Sequence, residues 1–445
     1  MPRRRTTTAT DAEPSDLPTR PKLSSTQPSD PPAPAADLGP PSGPDPGLDI
    51  GRIRAALLAW FRRGHRDLPW RRTRDPYAIW ISEIMLQQTR VDTVKAYFHR
   101  FMAELPTVEA LAAAPEDQVL TLWSGLGYYS RARNLHAAAG EIVTRYGGRF
   151  PREPEAVRGL PGIGPYTAGA ILSIAFAQQA PILDGNVIRV LARLRALTER
   201  PDSAAGKRLY WSLAEALVPP ARSAPSRGDG GDRESGGPAE APSGQPNDPP
   251  NDPGDFNQAL MELGATVCLP QRPVCLVCPL AELCQARLTG DPEAYPPKKE
   301  AKAVPVIEVV TLVVRAQGRV LLCRRPSLGL WGGLWEPPTL ERPPEEPLDE
   351  TLRRLVSERL AAELPTGQAV PLAPFVHVLS HRELRFQPFL LEVGPAAAPS
   401  PSPERDEALE RRVGGYQARR WITAGEPLAL GLAAWVTALL RRISA

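Results

Sequence analysis

Five cysteines occur in the chain, and four of them are crowded into one short stretch, Cys268-x6-Cys275-x2-Cys278-x5-Cys284. Thiolates are soft ligands that select zinc or an iron–sulfur cluster. A structural zinc site is usually built from two short knuckles, whereas only Cys275 and Cys278 make one here. A cubane [4Fe–4S] cluster is therefore the expected cofactor, with zinc as the alternative. Thiols gathered this way point to a reducing compartment rather than to a disulfide framework. Cys323 stands apart in a predicted strand and reads as an inert core thiol.

Two carboxylates form the next constellation. Glu83 sits in Ile79-Trp80-Ile81-Ser82-Glu83-Ile84-Met85-Leu86, a segment otherwise almost entirely apolar. A carboxyl so placed is desolvated, which raises its pKa and suits it to general-acid work near neutrality. Asp184 precedes the helical pattern Gly185-Asn186-Val187-Ile188-Arg189-Val190-Leu191, where a helix N-terminus keeps it ionised. One protonated and one charged carboxyl is the division of labour that glycosidic cleavage requires. The plainer alternatives are a solvent-facing glutamate and an ordinary capping aspartate.

A third signal is Leu160-Pro161-Gly162-Ile163-Gly164-Pro165-Tyr166-Thr167-Ala168-Gly169. Gly162 and Gly164 allow a sharp turn, Pro165 suits a first helical position, and the exposed amides of such a turn bind phosphate. This is a helix–hairpin–helix pattern for DNA, unless the glycines merely open a helix.

These residues need a frame. From Ile53 to Ala265 the apolar residues recur at helical spacing, predicting helices over Ile53–Arg63, Tyr77–Leu86, Val91–Glu104, Ser130–Tyr146, Pro165–Ala177, Gly185–Leu197 and Phe256–Gly264. A short helix near Glu153–Arg158 completes the hairpin. Beyond Cys284 the pattern shifts to strands at Val304–Val314, Arg319–Arg324 and Phe375–Val393, with helices at Leu348–Ala362 and Pro427–Ile443. The expected architecture is an all-α domain over residues 51–290, a linker over 291–304, and an α+β domain over 305–445.

Many of the 53 prolines fall outside these elements. Residues 1–50, a 219–254 insertion and Ala396–Pro403 have compositions that cannot bury enough surface to fold, and are expected to be disordered. No apolar run approaches the ~20 residues of a membrane span. The basic start Met1-Pro2-Arg3-Arg4-Arg5 has no apolar stretch, which argues against a secretory signal; a transit peptide is the alternative, opposed by early acidic residues. A monomer in the cytoplasm, nucleoid-associated if the source is bacterial, is the resulting expectation. The net charge of +3 says little about nucleic acid, but arginines cluster in the ordered parts.

Taken together, these motifs resemble the endonuclease III and MutY superfamily of helix–hairpin–helix DNA glycosylases, over most of residues 51–290. Tyr166 stands where the strand-cleaving branch has a Schiff-base lysine, and Leu68-Pro69-Trp70-Arg71, Met85-Leu86-Gln87-Gln88-Thr89 and Gly125-Leu126-Gly127-Tyr128-Tyr129-Ser130-Arg131-Ala132-Arg133-Asn134 look like the MutY branch. A tyrosine cannot form that base. The resemblance implies a monofunctional enzyme that flips adenine out of double-stranded DNA, from a pair with 8-oxoguanine or guanine. It further implies Glu83 as the acid at adenine N7, Asp184 as the carboxylate facing the sugar cation, and Tyr166 as a positioning group. Trp70, Arg71 and Gln258 would line the adenine pocket, and Leu86, Gln88 and Tyr128 would wedge into the stack. Arg131 and Arg133 are expected as phosphate contacts, with a solvated basic helix face as the alternative.

Residues 305–445 resemble the C-terminal domain of the MutY branch, itself similar to Nudix hydrolases. Ser380 and His381, in Phe375-Val376-His377-Val378-Leu379-Ser380-His381, are the implied readers of oxidised guanine. The hydrolases carry an R-E-x-x-E-E run for their metal, where this chain has Arg353-Arg354-Leu355-Val356-Ser357-Glu358-Arg359-Leu360. A metal site at His377 and His381 is a rival, but in one continuous strand these would stand about 13 Å apart. Other rivals are a thymine- or pyrimidine-removing enzyme of the same fold, a non-catalytic DNA-binding scaffold, and a nucleotide hydrolase.

Overall fold

The computed structural model describes residues 48–220, 252–298, 303–360, 366–394, 414–423 and 430–444. Most of the expected tail and insertion, and all of Ala396–Pro403, lie outside the described residues. At the two margins that are described, order extends further than expected. Asp49 caps a helix beginning at Ile50, and Asp252 caps one beginning at Pro253, so Pro253 and Gly254 belong to a helix rather than to the insertion.

The helices in chain order are α1 (Ile50–Arg63), α2 (Pro76–Leu86), α3 (Val91–Glu104), α4 (Val108–Ala113), α5 (Glu116–Trp123), α6 (Ser130–Tyr146), α7 (Pro154–Gly159), α8 (Pro165–Phe176), α9 (Gly185–Leu194), α10 (Ala204–Leu217), α11 (Pro253–Thr266) and α12 (Gln285–Leu288). The short α4, the α5 that begins behind Pro115, and α10 were missed by periodicity. Helices α2 and α8 form the centre. Their interiors, Tyr77–Met85 and Thr167–Ile174, are buried on every side, which is why neither shows an amphipathic stripe. Asp75 starts α2 by accepting from the Tyr77 and Ala78 amides, with Pro76 at the first position. Helix α11 packs on α1, α8 and α9.

The second region holds β1 (Val306–Ala316), β2 (Arg319–Arg324), β3 (Trp335–Glu336), β4 (Thr339–Arg342), α13 (Leu348–Leu355), β5 (Val370–Pro371), β6 (Phe375–Leu379), β7 (Arg382–Glu392), β8 (Ala418–Thr423) and α14 (Ala434–Ser444). The sheet path is β3-β2-β1-β7-β5, with β4 on β1, β6 on β7 and β8 on β2. Strands β1 and β7 run parallel from Val306↔Glu383 to Arg315↔Glu392. Strand β1 is buried on both faces, and its side chains divide by alternation. Val310, Leu312 and Val314 join the core under α13, while Val309 and Val313 join a core continuous with the helical region. A doubly buried strand reads as an unbroken apolar run.

Three expectations need correction. The run Phe375–Val393 is two strands, β6 and β7, joined at Ser380–His381. The α13 helix ends at Leu355 and continues as a wider turn over Val356–Leu360, within which Arg359 donates to the Gly414 carbonyl at 3.0 Å. The last helix starts at Ala434 rather than Pro427, although residues 424–429 lie outside the described residues.

The tightest packing of α8 is against the chain before α9. A Cβ at Gly169 would stand 2.0 Å from the Pro181 carbonyl oxygen. Backbone cannot yield as a flexible side chain does, so Gly169→Ala should destabilise the protein by about 1–3 kcal/mol in urea unfolding. A neutral outcome would mean that this contact is looser than described.

Candidate active site

Glu83 projects from the middle of α2 and is 4% exposed. The Tyr166 hydroxyl, one turn into α8, donates to its Oε2 at 2.8 Å. Burial pushes the Glu83 carboxyl up to about 7, helped by the nearby charge of Asp184 and opposed by the Tyr166 hydrogen bond and the Arg71 guanidinium. Burial also drives the Tyr166 phenol well above its ordinary range, with Glu83 and Asp184 adding to the effect. Tyr166 therefore stays a donor, and one carboxyl oxygen is fixed by it.

Asp184 caps α9. Its Oδ1 accepts from the Val187 amide at 2.7 Å and its Oδ2 from Asn186 Nδ2 at 3.0 Å. Glu83, Tyr166 and Asp184 line one cavity of about 710 Å³, together with Trp70, Arg71, Leu86, Gln88 and Gln258. With Gly162 and Gly164, which line it too, the structure brings together ten residues that sequence reasoning singled out.

It also adds others. Glu262 is 2% exposed and accepts from Arg71 at 2.8 Å and from Arg66 through both carboxyl oxygens. Its carboxyl, pushed up by burial, is brought down to about 2 by these two guanidinium groups. It fixes Arg71 against the cavity wall. Glu262 lies one helical turn after Gln258 on α11, a spacing that could have revealed it. Asn186 and Met261 line the cavity as well; Met261 Sδ is 3.1 Å from the Tyr166 hydroxyl.

At the cavity mouth Gln88 and Gly162 take left-handed backbone, with φ of 56° and 75°. A Cβ at Gly162 would meet Asn134 at 2.6 Å, so the hairpin tip requires glycine for space and conformation alike. Gly164 caps α8 with no side-chain bond, leaving amides at that terminus for an anion. Tyr128, with φ of 47°, is exposed, and its hydroxyl shares a 2.9 Å hydrogen bond with Ser380 Oγ. His381 Nδ1 lies 3.5 Å from the same oxygen. Residues 252 positions apart in sequence therefore meet, because the second region docks on α5 and α6. Ser124 Oγ and the Tyr129 hydroxyl donate to the Leu432 carbonyl, and Arg324 pairs with Glu116 at 2.9 Å.

Neither arginine expected at phosphates is free for that role. Arg131 is 9% exposed, and its guanidinium is consumed by backbone carbonyls of two loops. Arg133 is half-buried and donates to the Gly332 carbonyl across the domain junction. The GYYSRAR run carries arginine for internal bonding rather than for a solvated basic face. His377 packs beside Trp331, with ring centroids 5.6 Å apart. Since the chain reverses at Ser380, the distance argument for His377 and His381 loses its premise. Among the described residues, however, neither His377 nor His381 belongs to a group of three His, Cys, Asp or Glu side chains that could hold one metal ion.

Cys268, Cys275, Cys278 and Cys284 line a second, separate cavity with Arg193. Arg193 Nη1 stands 3.4 Å from Cys268 Sγ and donates to the Leu269 carbonyl, while Arg189 donates to the Cys268 carbonyl at 2.7 Å. Both arginines belong to α9, so the helix that Asp184 caps is bolted to the cysteine loop.

Residues 81–216 match the model of the HhH-GPD superfamily of base excision DNA repair proteins, and residues 309–442 match a NUDIX domain. The chain is 37% identical over 407 residues to the adenine DNA glycosylase of Mus musculus, covering 80% of this chain and 73% of the relative. The chain belongs to the adenine DNA glycosylase family. It is likewise 37% identical over 396 residues to the Homo sapiens member, spanning 76% of this chain and 66% of that relative. The Schizosaccharomyces pombe member is 35% identical over 354 residues, covering 66% and 70%. This protein is accordingly a base-excision glycosylase, an enzyme with a helix–hairpin–helix domain and a Nudix-like domain.

The raised Glu83 value has a stability consequence. A carboxyl whose folded pKa of about 7 exceeds its ordinary 4.5 contributes stability that is complete below 4.5 and lost as pH rises through 7. The difference reaches roughly 3 kcal/mol. Glu83→Gln removes this penalty while keeping an acceptor for Tyr166. Its melting temperature should exceed that of the wild type at pH 8, and the gap should close at pH 5. Equal melting temperatures at both pH values would show that Glu83 ionises freely in the fold.

Proposed function

We propose that this enzyme removes adenine paired with 8-oxoguanine or guanine in double-stranded DNA, by hydrolysis without strand cleavage. The observation that carries this reading is the shared cavity of Glu83, whose burial pushes its carboxyl up to about 7, and Asp184, which caps a helix beside it. An adenine flipped into the cavity accepts the Glu83 proton at N7, the C1′–N9 bond breaks, and the base departs neutral. The cation left on the sugar faces the Asp184 carboxylate until water adds to C1′ and passes its proton to the Glu83 carboxylate. Tyr166 has no amine, so no Schiff base forms, and its bond to Oε2 orients the acid. Leu86, Gln88 and Tyr128 fill the space the base leaves.

Ser380 and His381 would read the opposite base. 8-Oxoguanine presents a protonated N7 and a C8 carbonyl, and one good polar contact discriminates by roughly 1–3 kcal/mol. The Tyr128–Ser380 hydrogen bond supports this, since it places the reader turn against a wedge residue. Cys268, Cys275, Cys278 and Cys284 would hold a [4Fe–4S] cluster, whose role is to keep a loop in shape. Four thiols around one cavity, with Arg193 beside them to balance a negative cluster, fit that group. A monomer in a reducing, cytoplasmic compartment completes the reading.

Duplexes with adenine opposite 8-oxoguanine, guanine, cytosine or thymine, treated with alkali after incubation, test it. Cleavage should appear for the first two and require alkali. Glu83→Gln and Asp184→Asn should lose nearly all excision, and borohydride should trap no protein on DNA. Excision of thymine instead would assign another glycosylase. Ser380→Ala with His381→Ala should reduce the preference for 8-oxoguanine over guanine by about tenfold, which competition kinetics would read. Purified protein should contain about four irons per chain; stoichiometric zinc would exclude the cluster.

A further inference from the structure

The Arg131 side chain, which begins α6, is surrounded by carbonyl groups. Its Nη1 donates to the Ile84, Met85 and Gln87 carbonyls at 2.7, 3.1 and 2.6 Å. Its Nη2 donates to the Leu126 and Gly127 carbonyls, both at 3.1 Å. The first group comprises terminal carbonyls of α2, which have no partner within the helix. The second precedes Tyr128. Among the described residues no carboxylate pairs with Arg131, and its guanidinium lies 5.3 Å from the Trp123 ring centroid and 5.6 Å from that of Tyr128.

The two loops joined this way are the ones bearing Gln88 and Tyr128, both in left-handed backbone. For residues other than glycine that conformation is strained and persists only where surrounding bonds impose it. Resting on the proposed role of these loops in the duplex, we infer that Arg131 is a positioning residue. It clasps the Gln88 and Tyr128 loops at a fixed separation, so that both enter the base stack as one wedge.

A planar fork with donors on two nitrogens can bridge two loops, whereas a lysine ammonium is a single point. A lysine here has somewhere else to go. Arg131 Nε–H and the Trp80 indole N–H, both without a protein partner, belong to residues lining a chamber of about 240 Å³ between α2, α6 and the hairpin tip. That volume has room for water, so Arg131→Lys can keep its charge hydrated in place while releasing one loop.

The test is Arg131→Lys in the full-length, cluster-loaded protein, with two readouts. Single-turnover excision rates are compared for adenine opposite 8-oxoguanine and adenine opposite an abasic-site analogue, where extrusion is cheap. Inactive protein lowers the amplitude of such a reaction but not its rate constant. The rate should fall at least about tenfold on the first duplex and less than about threefold on the second, with the pH midpoint unchanged. Hydrogen exchange of the DNA-free protein should show peptides covering 84–90 and 125–130 losing protection together, with α8 unaffected. Equal rate losses on both duplexes, independent exchange of the two loops, or outright unfolding of the variant would overturn the clasp. Wild-type protein that excises adenine from neither duplex would instead defeat the proposed function, leaving the exchange result to decide the clasp.

Discussion

The site depends on one constraint: a carboxyl group is carried into the middle of a helix that is buried on all sides. Glu83 has apolar residues around it, one phenolic donor, and an ionised aspartate close enough to disfavour a second negative charge. The rest of the first region holds that arrangement. Gly169 lets α8 pack against the chain leading into α9, Asp184 caps that helix, and Glu262 draws Arg71 into the wall without an open cation beside the acid. Of these two chemically similar side chains, burial pushes Glu83 toward its protonated form, while Asp184 accepts from the amides of Val187 and Asn186.

The support extends beyond the cavity. Arg189 and Arg193 tie α9, the helix that Asp184 caps, to the cysteine loop. On the other flank the Nudix-like region shares a continuous core with the helical one. Gly431 lies so close to Leu120 that a Cβ there would stand 2.8 Å from it. The Ser380–His381 turn, mounted on such a junction, is placed by packing rather than by a flexible tether, and Ser380 arrives at Tyr128 for that reason. Separating the two regions would expose apolar surface on both, so point substitutions probe the Ser380–His381 turn more cleanly than truncation.

Much of this was legible in the residues themselves. The position of Glu83 within an apolar run, Asp184 before a helical pattern and the glycines of the hairpin each carried a local physical signal, and the structure places them as those signals imply. What failed was whatever depended on distant partners. Arg131 and Arg133 look like surface cations by type, and only the folded chain shows the carbonyls that occupy them. Glu262 reads as one more polar residue on α11 until Arg66 and Arg71 are brought against it from 196 and 191 positions away. The turn at Ser380–His381 has no glycine, proline or asparagine to mark it, so β6 and β7 merged into one strand. The short β3, β4, β5 and β8 are paired by neighbours rather than by their own pattern.

The protonation state of Glu83 is the point on which the account rests, and it can be observed without turnover. Infrared difference spectra of wild type against Glu83→Gln, recorded between pH 4 and 9, isolate the carbonyl stretch of this one carboxyl. A protonated acid band that persists at pH 6 and disappears with a midpoint near 7 is the expected result. A midpoint near the ordinary glutamate value of about 4.3 would contradict it, because Glu83 would then have no proton to give at neutral pH.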